Sequence, residues 1–511
     1  MAFSFHVEHF GCRAARVDGE AVSDRLRVAG LCESDPSAAD VVVVNTCSVT
    51  AEADRAARAF IRRAHRLNPT ARIVVTGCYA QRAPQELAGM AGVAAVVGNS
   101  HKALAPEIVL NLARKRVGVS SAAPPQFVNV ESLVAGGAQA SAPIWADGRF
   151  AHSFLEEAQL IPGAQTRPNL KIQEGCGNRC AFCVIPQTRG SSRSLPAEAV
   201  LKQVEGFVAA GGKELVLSGI NLGRWGRDLA GSPVVTAEGS ARSLAGLVRR
   251  ILEQTGLPRL RLSSIEPMDW DGELIGLMAE FAHARSGSPR LARHAHLPLQ
   301  SGSDAVLRRM HRRYRPWHYV EKAEALMRAA GPELTLGADV MVGFPGETDG
   351  EFKETLDLVR ALPFGYLHLF PFSPRPGTPA WALHAVRPVR SAVVEERMAA
   401  LRTLAAKKSE THRRRLVGRE LEAITLRTPA EMEARGRTAA LTENFLPVEL
   451  EGSLEANRLV RVRVSGLNAG GTLRALLPEA YGDQYAATAM SVRAKSVPLK
   501  SSSSPVSLAS A

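Results

Sequence analysis

The chain has no apolar run that approaches membrane-spanning length, and its first residues, "MAFSFHVEHFGC", lack the basic start, apolar stretch and small-residue cleavage site of a secretory signal. Both absences predict a cytoplasmic protein that enters no membrane. Cysteine is scarce: seven in 511 residues, an odd number in a large chain, which argues against a disulfide framework and for metal or redox use. A fourth ligand is missing too. "EGCGNRCAFCVIP" crowds Cys176, Cys180 and Cys183 together with no further cysteine nearby, whereas a closed structural metal site takes four ligands.

What is present bounds the architecture. A chain of 511 residues with 45% hydrophobic content is too long for one core and predicts two or three domains. The formal net charge is +13, and the basic residues cluster, as in "RAFIRRAHRLNPTAR", "RRMHRRYRPWHY" and "KKSETHRRRLVGR". That pattern points to a polyanionic partner, nucleic acid ahead of membrane, with solvated helix faces as the plainer account.

The pattern is α/β throughout most of the chain. Residues 1–116 alternate short apolar strands ("FSFHVEHF", "DVVVVNTC", "ARIVVTGC") with helical stretches, the rhythm of a parallel sheet flanked by helices. Residues 117–167, rich in Ala, Gly, Ser, Pro and Gln, read as a linker or insertion. From 168 to 415 six strand segments, "NLKIQ", "ELVLSGI", "RLRLSSI", "AHLPLQ", "TLGADVMVGF" and "YLHLFPFS", alternate with helix-length stretches and predict a partial (β/α)6 barrel. Residues 416–486 turn to short β-like segments that suggest a small β-barrel, and 487–511 have little to bury and read as disordered.

The cysteines carry the chemistry. The Cys-x3-Cys-x2-Cys run follows the first barrel strand, in a loop where Gly175 and Gly177 let the backbone wrap tightly. Three thiolates can each hold one iron of a [4Fe–4S] cubane, which ordinarily takes four cysteines, so one iron would be open to another molecule. The alternative is a zinc site completed by a distant His. Separately, Cys12, Cys47 and Cys78 each end a predicted strand, in "VEHFGC", "VVVVNTC" and "IVVTGC". Carboxyl ends of parallel strands share one edge, so the three can converge, although each alone reads as a small buried residue. Cys32 has no such placement and reads as structural.

"KIQEGCGNRCAFCVIPQTRGSSRS" resembles the signature of radical S-adenosylmethionine (SAM) enzymes, in the form found in the methylthiotransferase family. Gly11-Cys12, Asn45-Thr46-Cys47 and Gly77-Cys78 resemble that family's amino-terminal domain as well, and the likeness covers nearly the whole chain up to the tail. One departure is Ala15, where the family usually has Asn. The resemblance implies two [4Fe–4S] clusters. The one on Cys176, Cys180 and Cys183 would bind SAM through its open iron and yield a 5′-deoxyadenosyl radical; the one on Cys12, Cys47 and Cys78 would present sulfur, with a second SAM supplying methyl. "RGRTAALTENFLPVEL" resembles the TRAM domain, a small RNA-binding β-barrel; Arg419, Arg435, Arg437, Arg461 and Arg463 would contact phosphates or stand as solvated strand-face residues.

Placement at strand carboxyl ends, together with the resemblance, nominates SAM contacts: Glu214 and Ser218, then Ser263, Ser264 and Glu266, then Gln300 and Ser301, then Asp339 and Gly343 to Glu347. The implied reaction replaces the C2–H of a modified adenosine next to the anticodon of tRNA by a methylthio group. "RRAHRLNPTARIVVTGCYAQ" and "SPRPGTPA" most resemble the subgroup acting on N6-threonylcarbamoyladenosine. Isopentenyladenosine in tRNA and an aspartate of a ribosomal protein are the alternative targets, and a zinc-containing RNA-binding protein the non-enzymatic one. Arg189 and Arg193 are the candidate cations for the substrate's carboxylate, with loop-surface arginines that only touch phosphate as the alternative reading. A flavodoxin- or ferredoxin-type electron donor and a sulfur source are implied as partners.

Overall fold

The computed structural model describes residues 3–116, 141–150, 166–229, 235–236, 239–240, 243–283 and 289–478. The expected disordered tail and most of the expected linker lie outside the described residues. The chain divides into two compact units: Met1–Arg415 with Glu443–Phe445, and Leu416–Thr442 with the residues from Leu446 onward.

The larger unit begins with a six-stranded sheet. Its strands are β1 (Ser4–His9), β2 (Cys32–Glu33), β3 (Val41–Thr46), β4 (Arg72–Gly77), β5 (Val93–Gly98) and β6 (Ile144–Trp145), in the order β2-β1-β3-β4-β5-β6 and all parallel. Four consecutive valines make β3 apolar on both faces, and all of Val41–Thr46 is buried, as a central strand covered by helices on both sides requires. The helix Ala51–Leu67 starts where Thr50 accepts a hydrogen bond from the Ala53 amide, and packs Ala57, Phe60, Ile61 and Ala64 against the sheet core. The linker expectation for 117–167 needs correction at one place: Ile144 and Trp145 pair with Val96 and Val97 and complete the first sheet.

The barrel strands follow as β7 (Asn169–Glu174), β8 (Arg193–Ser194) and β9 (Glu214–Gly219), a two-residue pair β10 (Val235–Thr236) and β11 (Gly239–Ser240), then β12 (Arg259–Leu262), β13 (His294–His296), β14 (Thr335–Val342) and β15 (Phe364–Pro371). They form two arcs, β12-β9-β7-β8 and β13-β14-β15, bridged by Leu260 and Leu291, around one continuous apolar core. The segment "AHLPLQ" is a strand only to His296. Beyond it the Leu299 and Gln300 amides both donate to Asp339 O, and Gln300 turns left-handed at φ 61°, which ends the ladder.

The smaller unit is a closed five-stranded barrel of β16 (Glu420–Thr425), β17 (Arg437–Thr442), β18 (Pro447–Glu451), β19 (Leu459–Leu467) and β20 (Leu473–Leu476). Along β19, Val460, Val462 and Val464 point inward while Arg461 and Arg463 alternate outward into solvent.

Candidate functional site: two cysteine triplets and the barrel lumen

Cys12, Cys47 and Cys78 follow three neighbouring strands, β1, β3 and β4, at one sheet edge. Cys12 is exposed, Cys47 and Cys78 are buried. The Cys12 and Cys47 thiols interact, and this above all lowers the Cys12 thiol and drives the Cys47 thiol up. Asn99 Nδ2 donates to Cys78 Sγ at 3.2 Å. Gly11, at φ 97°, could not be another residue, since a Cβ there would run into Cys47. Cys32 pairs with Ser4, at the opposite end of β1. Ala15 is buried, and its carbonyl accepts from Asn45 Nδ2.

Cys176, Cys180 and Cys183 lie in the loop after β7. Its turn is closed by the Cys176 amide on Gly190 O, at 3.0 Å, and by Gly175 at φ 71°, whose Cβ would strike Ser191 O. Sulfur-directed donors surround the loop: the Asn178 amide (3.4 Å) and Asn221 Nδ2 (3.5 Å) to Cys176, and Arg312 Nη1 (3.2 Å) to Cys180. Burial pushes the Cys183 thiol up to about 12. A soft cation or cluster would reverse that, because coordination deprotonates a thiol outright. The donor set, three thiolates ringed by N–H groups, fits an iron–sulfur cluster at each triplet.

The expected SAM contacts separate into two groups. Glu214 requires correction: it opens β9 rather than ending it, is wholly buried at the amino end of the strand, and accepts from Arg261 Nε (2.9 Å) and Arg259 Nη1 (3.2 Å). At the other end, Glu266 binds Arg312 Nη2 through both oxygens (2.7 and 2.5 Å), which ties it to the guanidinium that touches Cys180. Ser263 Oγ and Gln300 Oε1 are buried with no hydrogen-bond partner among the described residues. Ser218 Oγ is spent on Leu170 O, at 3.4 Å, and Ser301 on Thr355. The Gly343 amide, at φ 77°, donates to Glu347, which in turn holds Arg397. Ser264 is exposed.

Asp339 is engaged differently from expectation. Its Oδ1 lies 3.2 Å from both His296 Nε2 and His368 Nδ1, and His296 Nδ1 lies 2.9 Å from Tyr366 OH, whose oxygen is also 2.8 Å from His294 Nε2. Burial opposes ionisation of Asp339, but the two imidazoles outweigh it and hold the carboxyl below its usual range. One ligand atom from each of His296, Asp339 and His368 lies within 4.8 Å of the others.

The expectation for Arg189 also fails. It is fully buried, with Nη1 on Glu174 (2.7 Å) and Asp18 (3.0 Å), so no substrate carboxylate can reach that nitrogen. Arg193 turns back on Arg189 O and Ser191 O and stacks over Phe150. Sequence reasoning missed Arg312, Asn99, Asn221 and the paired histidines. It also missed Arg375, of "SPRPGTPA", which reaches Asp54 at 2.7 Å and Val49 O beside Cys47.

Residues 4–98 match the family described as "Uncharacterized protein family UPF0004" and residues 170–359 the radical SAM superfamily. The chain is 33% identical over 469 residues to the threonylcarbamoyladenosine tRNA methylthiotransferase MtaB of Bacillus subtilis (strain 168), covering 91% of this chain and 94% of that protein. It is 33% identical to the protein of the same name from Aquifex aeolicus (strain VF5), over 89% of this chain and 99% of that one. It is also 33% identical to the tRNA-2-methylthio-N(6)-dimethylallyladenosine synthase of Parafrankia sp. (strain EAN1pec), over 91% and 84%. Among solved structures, the radical SAM methyltransferase TsrM of Kitasatospora setae superposes with a TM-score of 0.52 at 15% identity, over 75% of this chain and 77% of that one, a likeness of fold alone.

Proposed function

Because this chain belongs to the radical SAM methylthiotransferase family, we propose that it converts N6-threonylcarbamoyladenosine next to the anticodon of a tRNA to its 2-methylthio derivative. The observation that carries the substrate choice is the polar layer of the barrel lumen. A threonylcarbamoyl group brings a carboxylate, a hydroxyl and urea N–H groups, while an isopentenyl group asks for an apolar wall. His294, His296, Asp339, Tyr366 and His368 form a hydrogen-bonding wall on three adjacent strands. With Nδ1 turned to Asp339, the half-exposed His368 ring presents Nε2 to a ligand. Relatives named for threonylcarbamoyladenosine support the same reading.

We assign Cys176, Cys180 and Cys183 to one [4Fe–4S] cluster and Cys12, Cys47 and Cys78 to an auxiliary one. When bound, the first supplies the electron that cleaves SAM and the second the sulfur. The chain's own residues position and seal: Arg312 clamps Glu266 against the cysteine loop, while the unpartnered Ser263 Oγ and Gln300 Oε1 offer hydrogen bonds to the polar cofactor, beside Gly343. The three nitrogens of Arg312 bond Glu266, Cys180 and Tyr314 at once, which the single ammonium of lysine does not reproduce. Arg312→Lys is therefore expected to slow 5′-deoxyadenosine release about 10- to 100-fold with the melting temperature little changed; an unaltered rate would remove Arg312 from the site.

The RNA backbone has a candidate seat in a cleft of about 370 Å³ lined by Arg360, Lys407, Lys408 and Arg415. Affinity for tRNA should fall with salt, log affinity against log salt having a slope of roughly 0.7 to 0.9 per phosphate contact. We place the protein in the cytoplasm, among the described residues no helix being long and apolar enough to cross a membrane, with a small electron-transfer protein and a sulfur source as partners. The deciding assay offers the reconstituted enzyme tRNAs carrying threonylcarbamoyl-, isopentenyl- or unmodified adenosine and analyses nucleosides by mass spectrometry. Methylthio product on threonylcarbamoyladenosine is expected, with His368→Leu raising KM roughly tenfold for loss of one polar contact. Product on the isopentenyl tRNA alone would overturn the substrate choice.

A further inference from the structure

Five ionisable side chains are sealed together where the first sheet meets the barrel. Asp18 stands on the helix Arg13–Val28 that starts just after Cys12; Lys102 follows β5; Lys171 and Glu174 belong to β7; and Arg189 ends the short helix Ile185–Arg189 just beyond Cys183. Lys102 Nζ reaches Glu174 at 2.5 Å and Asp18 at 3.1 Å, Lys171 Nζ reaches Glu174 at 2.7 Å and also bonds Asp18, and Arg189 Nη1 joins both carboxylates. The group is ionised. Each of the two carboxylates is bonded by all three cations, so the five side chains form one closed set of ion pairs. Burial pushes the Lys102 amine down, and the two carboxylates it bonds oppose that.

Three cations thus face two carboxylates, and one positive charge is left over among buried side chains. A buried charge left uncompensated is strongly destabilising. Arg189 is the member with capacity to spare: its Nε and Nη2 are buried and make no hydrogen bond among the described residues. Its surroundings say where that capacity faces. Asn99 Nδ2 donates at once to Cys78 Sγ (3.2 Å) and to the carbonyl of Thr188 (2.9 Å), the residue before Arg189.

We infer that Arg189 is a positioning residue of the auxiliary site, its free N–H groups directed at the sulfur of the cluster that Cys12, Cys47 and Cys78 would hold, and its charge matched to that cluster. This rests on the assignment of an auxiliary [4Fe–4S] cluster made above. The balance closes: a doubly positive oxidised core with three thiolates carries one net negative charge, equal and opposite to the excess of the buried network. Reduction adds a second negative charge, so Arg189 favours the reduced state. The Ile185–Arg189 helix thereby couples the loop of one triplet to the environment of the other.

The test uses the full chain with Cys176, Cys180 and Cys183 all replaced by alanine, so that only the auxiliary site can hold iron. This background is expected to retain about four irons per chain after anaerobic reconstitution. Adding Arg189→Gln leaves the remaining network balanced, two cations to two carboxylates, so the fold survives. Iron is then expected to leave to a chelator about 10- to 100-fold faster, and the midpoint potential, followed by electron paramagnetic resonance, to move to more negative values. Arg189→Lys, which keeps the charge and loses the fork, is expected to restore the potential in large part. A background that binds no iron would defeat the auxiliary assignment itself. A background with four irons, whose release and potential are unchanged by Arg189→Gln, would overturn the inference alone. So would an apoprotein whose melting temperature drops as far as that of the loaded form, since Arg189 would then serve the fold.

Discussion

Cys176→Ala is expected to abolish SAM cleavage and about half the iron, while Cys47→Ala loses the other half and still releases 5′-deoxyadenosine. The two triplets sit on different sheets, one at the edge formed by β1, β3 and β4, the other in the loop after β7. They share no thiol, and each has its own donors to sulfur: Asn99 for the first, Asn178, Asn221 and Arg312 for the second. Reconstituted protein should carry roughly eight irons, about four per cubane. Cys47→Ala should yield no methylthio product on tRNA, because the radical would then form with no sulfur to combine. The measurements are iron content, 5′-deoxyadenosine by chromatography and product nucleoside by mass spectrometry. A folded single-triplet variant emptied of all iron would show that the six cysteines serve one centre.

Most of the architecture was legible in the sequence because the signals are local. Valine runs ending in Cys47 and in Cys78 mark buried parallel strands, and their shared direction brings three distant cysteines to one edge. The alternation of Val460, Val462 and Val464 with Arg461 and Arg463 in "RLVRVRV" is the pattern of the β19 strand, which turns both arginines outward. What stayed hidden depends on distance in sequence. Asp18, Lys102 and Glu174 are ordinary charged letters until three elements meet, so Arg189, in "QTRGSSRS", read as a surface cation when it is the centre of a buried network. His296 and His368 come from separate strands, and only the register that sets Asp339 opposite His368 brings them together. Ile144 and Trp145 were hidden by the composition around them, since two residues suffice to complete an edge and leave no periodicity.

Glu214 shows how one strand end can be mistaken for the other, and it yields the largest expected effect on stability. The segment "GGKELVLSG" suggested a cofactor contact, yet Glu214 begins β9, and β12 lies parallel with Arg259 opposite Glu214 and Arg261 two residues on. Burial alone would push the carboxyl up; Arg261, Arg259 and Arg167 outweigh it and bring it to about 2. Glu214→Gln would remove the carboxylate that both buried guanidiniums bond, at about 3–5 kcal/mol, a fall in melting temperature on the order of 5 °C for a unit of this size. The folded-state value lies below the unfolded carboxylate value of about 4.3, so the stabilisation is complete above that pH and is lost as pH falls toward 2. The gap in stability between wild type and Glu214→Gln apoproteins should therefore be constant near neutrality and close between about pH 5 and pH 2, as followed by circular dichroism in urea. SAM affinity of the loaded variant, measured at low temperature where it remains folded, should match wild type, because the residue lies at the wrong end of the barrel to touch the cofactor. A variant that melts normally and loses SAM binding would return Glu214 to the site.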